Sequence, residues 1–262
     1  MNKIKYSIII PICNRNFGLS CCLTCLTMQT FPRSQFEVII ADDGSHEDTL
    51  KIVRQFASSL NMKYFWHKDV GFTAAAVRNR GVDLMNRQSD TILFLDSEII
   101  FRKNWLSEYN RFHEEFPDCV ICGRYDFLYP LNFTVEDIIK NFDDIVTQRI
   151  GVAFIPPDGE PVWPDIRQSV WSEKPRKGGG AMLGGNLLMP KKIFLEAGGF
   201  DEEFIGHGGE DCDLGKTITE LGYMMVFSPK MMGWHLYHPR NMRRNMVELR
   251  QNIARIGKKH KK

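Results

Sequence analysis

The chain has 262 residues, 43% of them hydrophobic and 25% charged, a globular composition with length for one large α/β domain or two small ones. Its 34 Lys and Arg against 32 Asp and Glu leave a formal net charge of +2, which excludes a dedicated nucleic-acid binder. No apolar run approaches the roughly 18 residues that span a bilayer. The run Tyr6–Ile12 is too short for a secretory signal, so the sequence predicts a cytoplasmic protein.

Lys5 to Pro11 is a β-branched run stopped by proline, the pattern of a buried strand. Gly18 to Met28 carries a helical pattern, Phe36 to Ala41 reads as a second strand, and Glu47 to Leu60 as a second helix. Met62 to Trp66, the Ala-rich stretch Thr73 to Met85 and Thr91 to Leu95 continue the rhythm as strand, helix and strand. Such alternation predicts a doubly wound, mainly parallel α/β sheet with helices on both faces, whose ligands sit at the carboxyl ends of the strands. Asp42-Asp43 and Asp96-Ser97-Glu98 both fall at that edge.

Beyond about residue 125 the rhythm breaks. The Pro- and charge-rich stretch from Pro156 to Pro175 predicts a long loop, followed by Gly178-Gly179-Gly180 and a short apolar stretch, Met182 to Met189. Lys191 to Ala197 and Asp211 to Leu221 read as helices, each stopped by glycine, and a basic helical tail runs from Arg240 to Lys262. The seven cysteines are an odd count in a chain long enough to build its own core, which argues against a disulfide framework. Cys22/Cys25 and Cys119/Cys122 could in principle ligate zinc, but a helix and a buried strand favour the reading of small buried hydrophobes.

Several clusters could do chemistry. Asp96 and Glu98, at i and i+2 of a strand end, either share a divalent cation or form an ordinary acidic turn. Asp42-Asp43-Gly44-Ser45 by itself is a turn sequence. In His207-Gly208-Gly209-Glu210-Asp211, first-turn acids suit a helix dipole, yet glycines this dense favour close approach of the backbone to a ligand. His235 and His238, three residues apart beside Pro239, favour a metal site. Arg78 and Arg80 read as partners for carboxylate or phosphate, or as a solvated helix face. Trp163, Trp171 and Trp234 read as sugar-stacking surfaces or as packing.

In this order the motifs resemble the family 2 glycosyltransferases of GT-A (Rossmann-like) fold. The second half is similar to the galactosyltransferase-type region of β-1,4-galactosyltransferases, polypeptide N-acetylgalactosaminyltransferases and bacterial chondroitin-polymerase-like enzymes. The resemblance runs from Ser7–Pro11 with Asn14-Arg15, through Ala41–Ser45, Gly71–Gly81 and Leu95–Glu98, to Gly199–Phe204, Gly208–Asp211 and His235–Pro239. It implies a nucleotide-sugar-binding half over residues 1–125, a connector and acceptor wall over 126–180, an acceptor and catalytic region over 181–239, and the basic tail over 240–262.

It further implies an inverting transfer of a hexose or N-acetylhexosamine from a UDP-sugar to a glycan, lipid-linked or protein acceptor. Pro11, Asn14, Arg15, Asp42, Asp43, Arg78 and Asp96 would line the nucleotide site. Asp96, Glu98 and His238, with His235 as a further candidate, would hold Mn2+ or Mg2+; Glu98 departs from the usual Asp at the third motif position. Asp211 would be the general base with Glu210 beside it, and His207, Gly208, Gly209 and Trp234 would face donor sugar and acceptor. The tail offers contact with an anionic membrane surface. Two rivals are a catalytically silent binding subunit, which would show a broken Glu-Asp pair, and a sugar nucleotidyltransferase, which would need a basic Gly-rich loop where Pro11-Ile12-Cys13-Asn14 stands.

Overall fold

The computed structural model describes residues 4–46, 48–71, 73–128, 133–147, 172–238 and 242–261. The first β-branched run forms β1 (Tyr6–Ile12), buried on both faces: Tyr6, Ile8, Ile10 and Ile12 join one apolar cluster and Ile9 the other. It lies between β2 (Phe36–Asp42) and β4 (Thr91–Leu95), with β3 (Met62–Trp66) outside β2, and all four strands run parallel. Pro11 lies beyond the last β1–β4 pair, Ile9 with Phe94, where one side of the strand is already open.

The parallel character stops at β4. Next to it stands β8 (Asn186–Pro190), antiparallel, then β6 (Cys119–Leu128), β9 (Met224–Leu236) and β5 (Ile99–Phe101). β6 and β9 are parallel to each other, while β5 and β7 (Ser172–Arg176) pair antiparallel with β9. The sheet is therefore parallel in its first half and mixed in its second.

Helices cover both faces. Side chains of α1 (Asn16–Thr27), α2 (Thr49–Phe56), α4 (Trp105–Glu115), α5 (Val135–Lys140) and α6 (Phe142–Thr147) join the first cluster. Those of α3 (Ala74–Asp83), α7 (Lys191–Glu196) and α8 (Glu210–Glu220) join the second. Cys22 and Cys25 are buried in the first cluster, while Cys119 and Cys122 point to opposite faces of β6, as strand alternation requires. Among the described residues no helix is long and apolar enough to cross a membrane.

One expectation changes, one strand was not anticipated, and the expected tail helix is found docked. The end of the expected loop, residues 172–176, is strand β7; it tolerates Pro175 because it pairs with β9 only at its two ends, Ser172 and Arg176. The rest of that loop up to 171, with Trp163 and Trp171, lies outside the described residues. The thirteen-residue β9 was hidden by Ser228-Pro229-Lys230, where its pairing with β6 slips from Gly123–Ser228 to Tyr125–Gly233. The basic tail, described from residue 242, forms α9 (Met242–Lys259), and Arg255 and Lys259 on it are ion-paired with acids of the preceding region.

Candidate active site

The predicted residues gather where β1, β2 and β4 end, and they form three linked clusters. At the ends of β1 and β2, Asn14 adopts a left-handed φ of 52°, a conformation that asparagine enters more readily than most residues. There its N–H donates to Ser45 Oγ (2.9 Å) and its Oδ1 accepts the His46 N–H (2.8 Å). Asp42 is fully buried and both its oxygens are engaged, accepting the Ser45 N–H at 2.8 Å and the Tyr64 hydroxyl at 2.9 Å. Asp43 accepts the Thr73 N–H (2.8 Å), the Thr73 hydroxyl and His67 Nε2 (2.9 Å), tying β2 to the start of α3.

The second cluster is the end of β4. Residues 96–99 turn rather than continue extended, with the Ile99 N–H donating to the Asp96 carbonyl at 3.2 Å. The pleat argument for two carboxylates on one side therefore fails, and Asp96 and Glu98 have separate partners. Glu98 Oε1 lies 3.1 Å from Arg15 Nε and 3.6 Å from His238 Nε2, and Arg15 Nη2 donates to His238 Nδ1 at 3.1 Å. The pairing of Ile99 with His235 across β5 and β9, and the Leu236 N–H on the Glu98 carbonyl (2.8 Å), bring the two histidines to this point. His235 itself is buried in β9 against the rings of Phe127, Tyr125 and His238. Its Nδ1 donates to the Leu236 carbonyl at 3.0 Å.

The third cluster joins the two halves of the chain. Buried Arg78, on α3, donates from Nη2 to Asp96 Oδ1 and from Nη1 to Glu210 Oε1, both at 3.0 Å. Burial works against the guanidinium charge, but Asp96 and Glu210 outweigh it and raise the Arg78 pKa. Arg80, by contrast, is exposed and pairs with Asp83 on the solvated face, the second of the two readings offered for it. Glu210 and Asp211 open α8, where the helix dipole favours their charge. Burial nevertheless raises both carboxyl pKa values; Asp211 adds to the shift of Glu210, and Arg78 offsets each in part. Asp211 keeps a partly exposed edge, with Oδ2 accepting the Gly184 N–H (3.2 Å) and Oδ1 the Cys212 N–H (2.7 Å).

Gly184-Gly185 forms the floor of this cluster, a role that the sequence reading of Met182 to Met189 as an apolar stretch did not anticipate. A β-carbon on Gly184 would lie 3.3 Å from Arg78 Cζ, and one on Gly185 2.1 Å from Asp96 Oδ2. The Asp96 N–H donates to the Gly185 carbonyl at 2.9 Å. Thr73 and His67 were also missed as site residues, Thr73 lying unremarked within Gly71–Gly81 and His67 having no motif of its own. Trp234 does not present a stacking face in this arrangement: it is 4% exposed, edge-on to Phe142 and beneath the Arg102 guanidinium. His207, Gly208 and Gly209 form the turn leading into α8, Gly209 being its left-handed cap at φ 105°.

The sequence model of Glycosyl transferase family 2 matches residues 7–161, more than half of the chain, and that of the N-terminal domain of galactosyltransferase matches residues 169–240. Validoxylamine A glucosyltransferase of Streptomyces hygroscopicus subsp. limoneus is 28% identical over 97% of this chain and 56% of its own length. Hyaluronan synthase of Pasteurella multocida is 30% identical over 96% of this chain and 26% of its own length, so the chain spans only part of each relative. Among solved structures, GalNAc-T7 with UDP, GalNAc and Mn2+ superposes with a TM-score of 0.69 at 15% identity, covering 97% of this chain and 48% of that one; it shares the α/β fold. The chain belongs to glycosyl transferase family 2.

Proposed function

We propose that the chain is a metal-dependent, inverting glycosyltransferase that moves a hexose or N-acetylhexosamine from a UDP-sugar to an acceptor hydroxyl. The observation that carries this reading is the Asp96–Arg78–Glu210 bridge, which couples the motif at the end of β4 to the acidic pair that opens α8. A donor diphosphate belongs at the carboxyl ends of β1, β2 and β4, beside Pro11, Asn14, Arg15, Asp43 and Asp96. The acceptor belongs on the α8 side. Asp211 takes the proton from the acceptor hydroxyl while the hydroxyl oxygen forms a bond to the anomeric carbon and the bond to the diphosphate oxygen breaks. One displacement from the opposite face inverts the anomeric centre. A carboxylate with a raised pKa is a stronger base than an exposed one, which suits this task.

Asp96, Glu98 and His238, with His235 as a further ligand, are the residues that would hold Mn2+ or Mg2+. Carboxylate oxygen and imidazole nitrogen suit such an ion, and the Arg15 guanidinium against both Glu98 and His238 indicates a point that attracts positive charge. Among the described residues no three such side chains are already gathered around one point, Asp96 being turned to Arg78 and Glu98 to Arg15. When bound, the ion neutralises the charge that develops on the leaving diphosphate. GalNAc-T7, a fold neighbour solved with UDP, GalNAc and Mn2+, supports both the donor class and the ion.

Thermal unfolding with UDP, GDP, CMP and dTDP, each with and without Mn2+, tests the reading. Ligand at about 100 times its Kd adds roughly 2.7 kcal/mol, a rise of about 5–10 °C for a chain near this size. A UDP shift that requires Mn2+ and is lost in Asp96→Ala supports the reading. No shift with any nucleotide overturns it. A peripheral contact with anionic lipid, suggested by Arg250, Lys258 and Lys261 exposed beside Met246, Val247 and Ile253, is tested by salt release in liposome co-sedimentation.

A further inference from the structure

Helix α9 lies beyond both matched segments, which end at residues 161 and 240. It is amphipathic in an unusual sense. Glu248, Asn252, Arg255 and Lys259, at helical spacings of four, three and four, face the protein beside Leu249 and buried Ile256, while Met246, Val247 and Ile253 face outward. A polar inward face is costly unless each group meets a partner. Here the partners are the turn that enters α8. Glu248 Oε2 accepts the His207 N–H at 2.8 Å and is itself held by Arg244 Nε at 2.6 Å. Buried Asn252 donates from Nδ2 to the Gly208 carbonyl at 2.7 Å and to the Ile205 carbonyl at 3.5 Å. Lys259 and His260 reach Asp213 in the first turns of α8 at 2.8 and 2.9 Å.

The turn needs such support. Gly206, Gly208 and Gly209 hold φ values of +82°, +76° and +105°, and glycines this dense leave a free turn many other conformations. Both contacting side chains fit without spare room: a β-carbon on Gly206 would lie 2.5 Å from Glu248 Cδ, and one on Gly209 3.0 Å from Asn252 Cβ. The orientation of the Gly208–Gly209 peptide sets the direction in which Glu210 and Asp211 enter the site. We propose that Glu248 and Asn252 are positioning residues of the acceptor side, holding the 205–209 turn so that Asp211 meets the acceptor hydroxyl. The proposal rests on the reading of Asp211 as the base. It makes α9 part of the acceptor site although neither residue touches substrate.

The test compares wild type with Asn252→Leu and Glu248→Ala, with Glu248→Gln as the conservative variant that keeps an acceptor for the His207 N–H. Hydrogen–deuterium exchange of residues 201–213, without nucleotide, is expected to accelerate at least 10-fold in Asn252→Leu and Glu248→Ala and to return toward wild type in Glu248→Gln. UDP release from UDP-GlcNAc and UDP-glucose with Mn2+ is then expected to show kcat reduced at least 10-fold, with the donor KM and the UDP·Mn2+ thermal shift unchanged. Unchanged exchange overturns the proposal, as does accelerated exchange with wild-type kcat. Loss of donor binding in step with kcat also overturns it, since that outcome marks general disruption. If wild type neither binds UDP nor releases it, the glycosyltransferase reading fails, while the exchange result still decides whether α9 fixes the turn.

Discussion

Gly185 and Asp96 approach so closely that a β-carbon on residue 185 would stand 2.1 Å from Asp96 Oδ2. The backbone just ahead of β8 thus acts as a wall that keeps the Asp96 carboxylate turned to Arg78. Gly185→Ala is expected to force Asp96 or the strand aside, at about 1–3 kcal/mol in stability. It should also weaken UDP·Mn2+ binding. Denaturant unfolding and calorimetric titration check both, with Gly257→Ala as a control. A β-carbon there meets open space on α9, and alanine should stabilise by about 0.5–1 kcal/mol.

Arg78 is the one cation in direct contact with Asp96 and Glu210 among the described residues, its side chain 7% exposed. Arg78→Met leaves both carboxylates without that partner and is expected to cost roughly 3–5 kcal/mol. Introducing Glu210→Gln alongside it should recover part of the loss, because the uncompensated charge is then smaller. Arg78→Lys should fall between, since one ammonium lacks the fork that reaches two carboxylates at 3.0 Å each. Urea unfolding of wild type, Arg78→Met, Glu210→Gln and the double variant measures the cycle, with Arg78→Lys as a fifth protein. Equal stabilities would contradict the bridge as an energetic unit.

The parallel half of the sheet was legible because its strands are short, mostly apolar runs, β2 and β4 ended by acids, and Thr91–Leu95 is observed with the expected bounds. The acidic motifs were legible because they sit at strand ends and at a helix start. The partners were not. Arg78 reaches Glu210 over 132 positions and Arg15 reaches His238 over 223, distances at which no local pattern operates. β9 escaped because a proline and a register slip break its alternation. The docking of α9 escaped for the opposite reason: a helix whose inward face is mostly polar reads, in sequence, as a solvated one.

Asn186, next to Gly185, is fully engaged: its Nδ2 donates to the carbonyls of Arg124 (2.9 Å) and Met231 (2.8 Å), and its Oδ1 accepts the Tyr109 hydroxyl at 2.7 Å. This one side chain joins α4, β6, β8 and β9. Asn186→Ala is expected to destabilise by at least about 2 kcal/mol, because the buried groups that it serves lose a partner. Asn186→Asp should do no better, since a carboxylate cannot donate to the two carbonyls. Thermal and urea unfolding check the order.

Asp211 offers a test in which stability and catalysis move in opposite directions. Its folded pKa is raised by burial, with Arg78 and the Gly184 and Cys212 N–H groups offsetting only part of the shift. In the unfolded chain it titrates near about 3.9. Between these two values the native state holds more protons than the unfolded state, so this group's contribution to stability falls as pH rises through that window. Above the raised pKa the ionised carboxylate remains a standing cost. Asp211→Asn removes that cost, so its Tm relative to wild type is expected to be more favourable at about pH 8 than at about pH 4. Calorimetry at matched ionic strength measures the difference, and one independent of pH would contradict the raised pKa. The same substitution removes the base proposed above, and on that reading turnover should drop by about 10²–10⁴. On the same reading, the wild-type acid limb of kcat/KM should lie above the ordinary aspartate range, because the proposed base must lose its proton in the free protein before it can activate an acceptor hydroxyl.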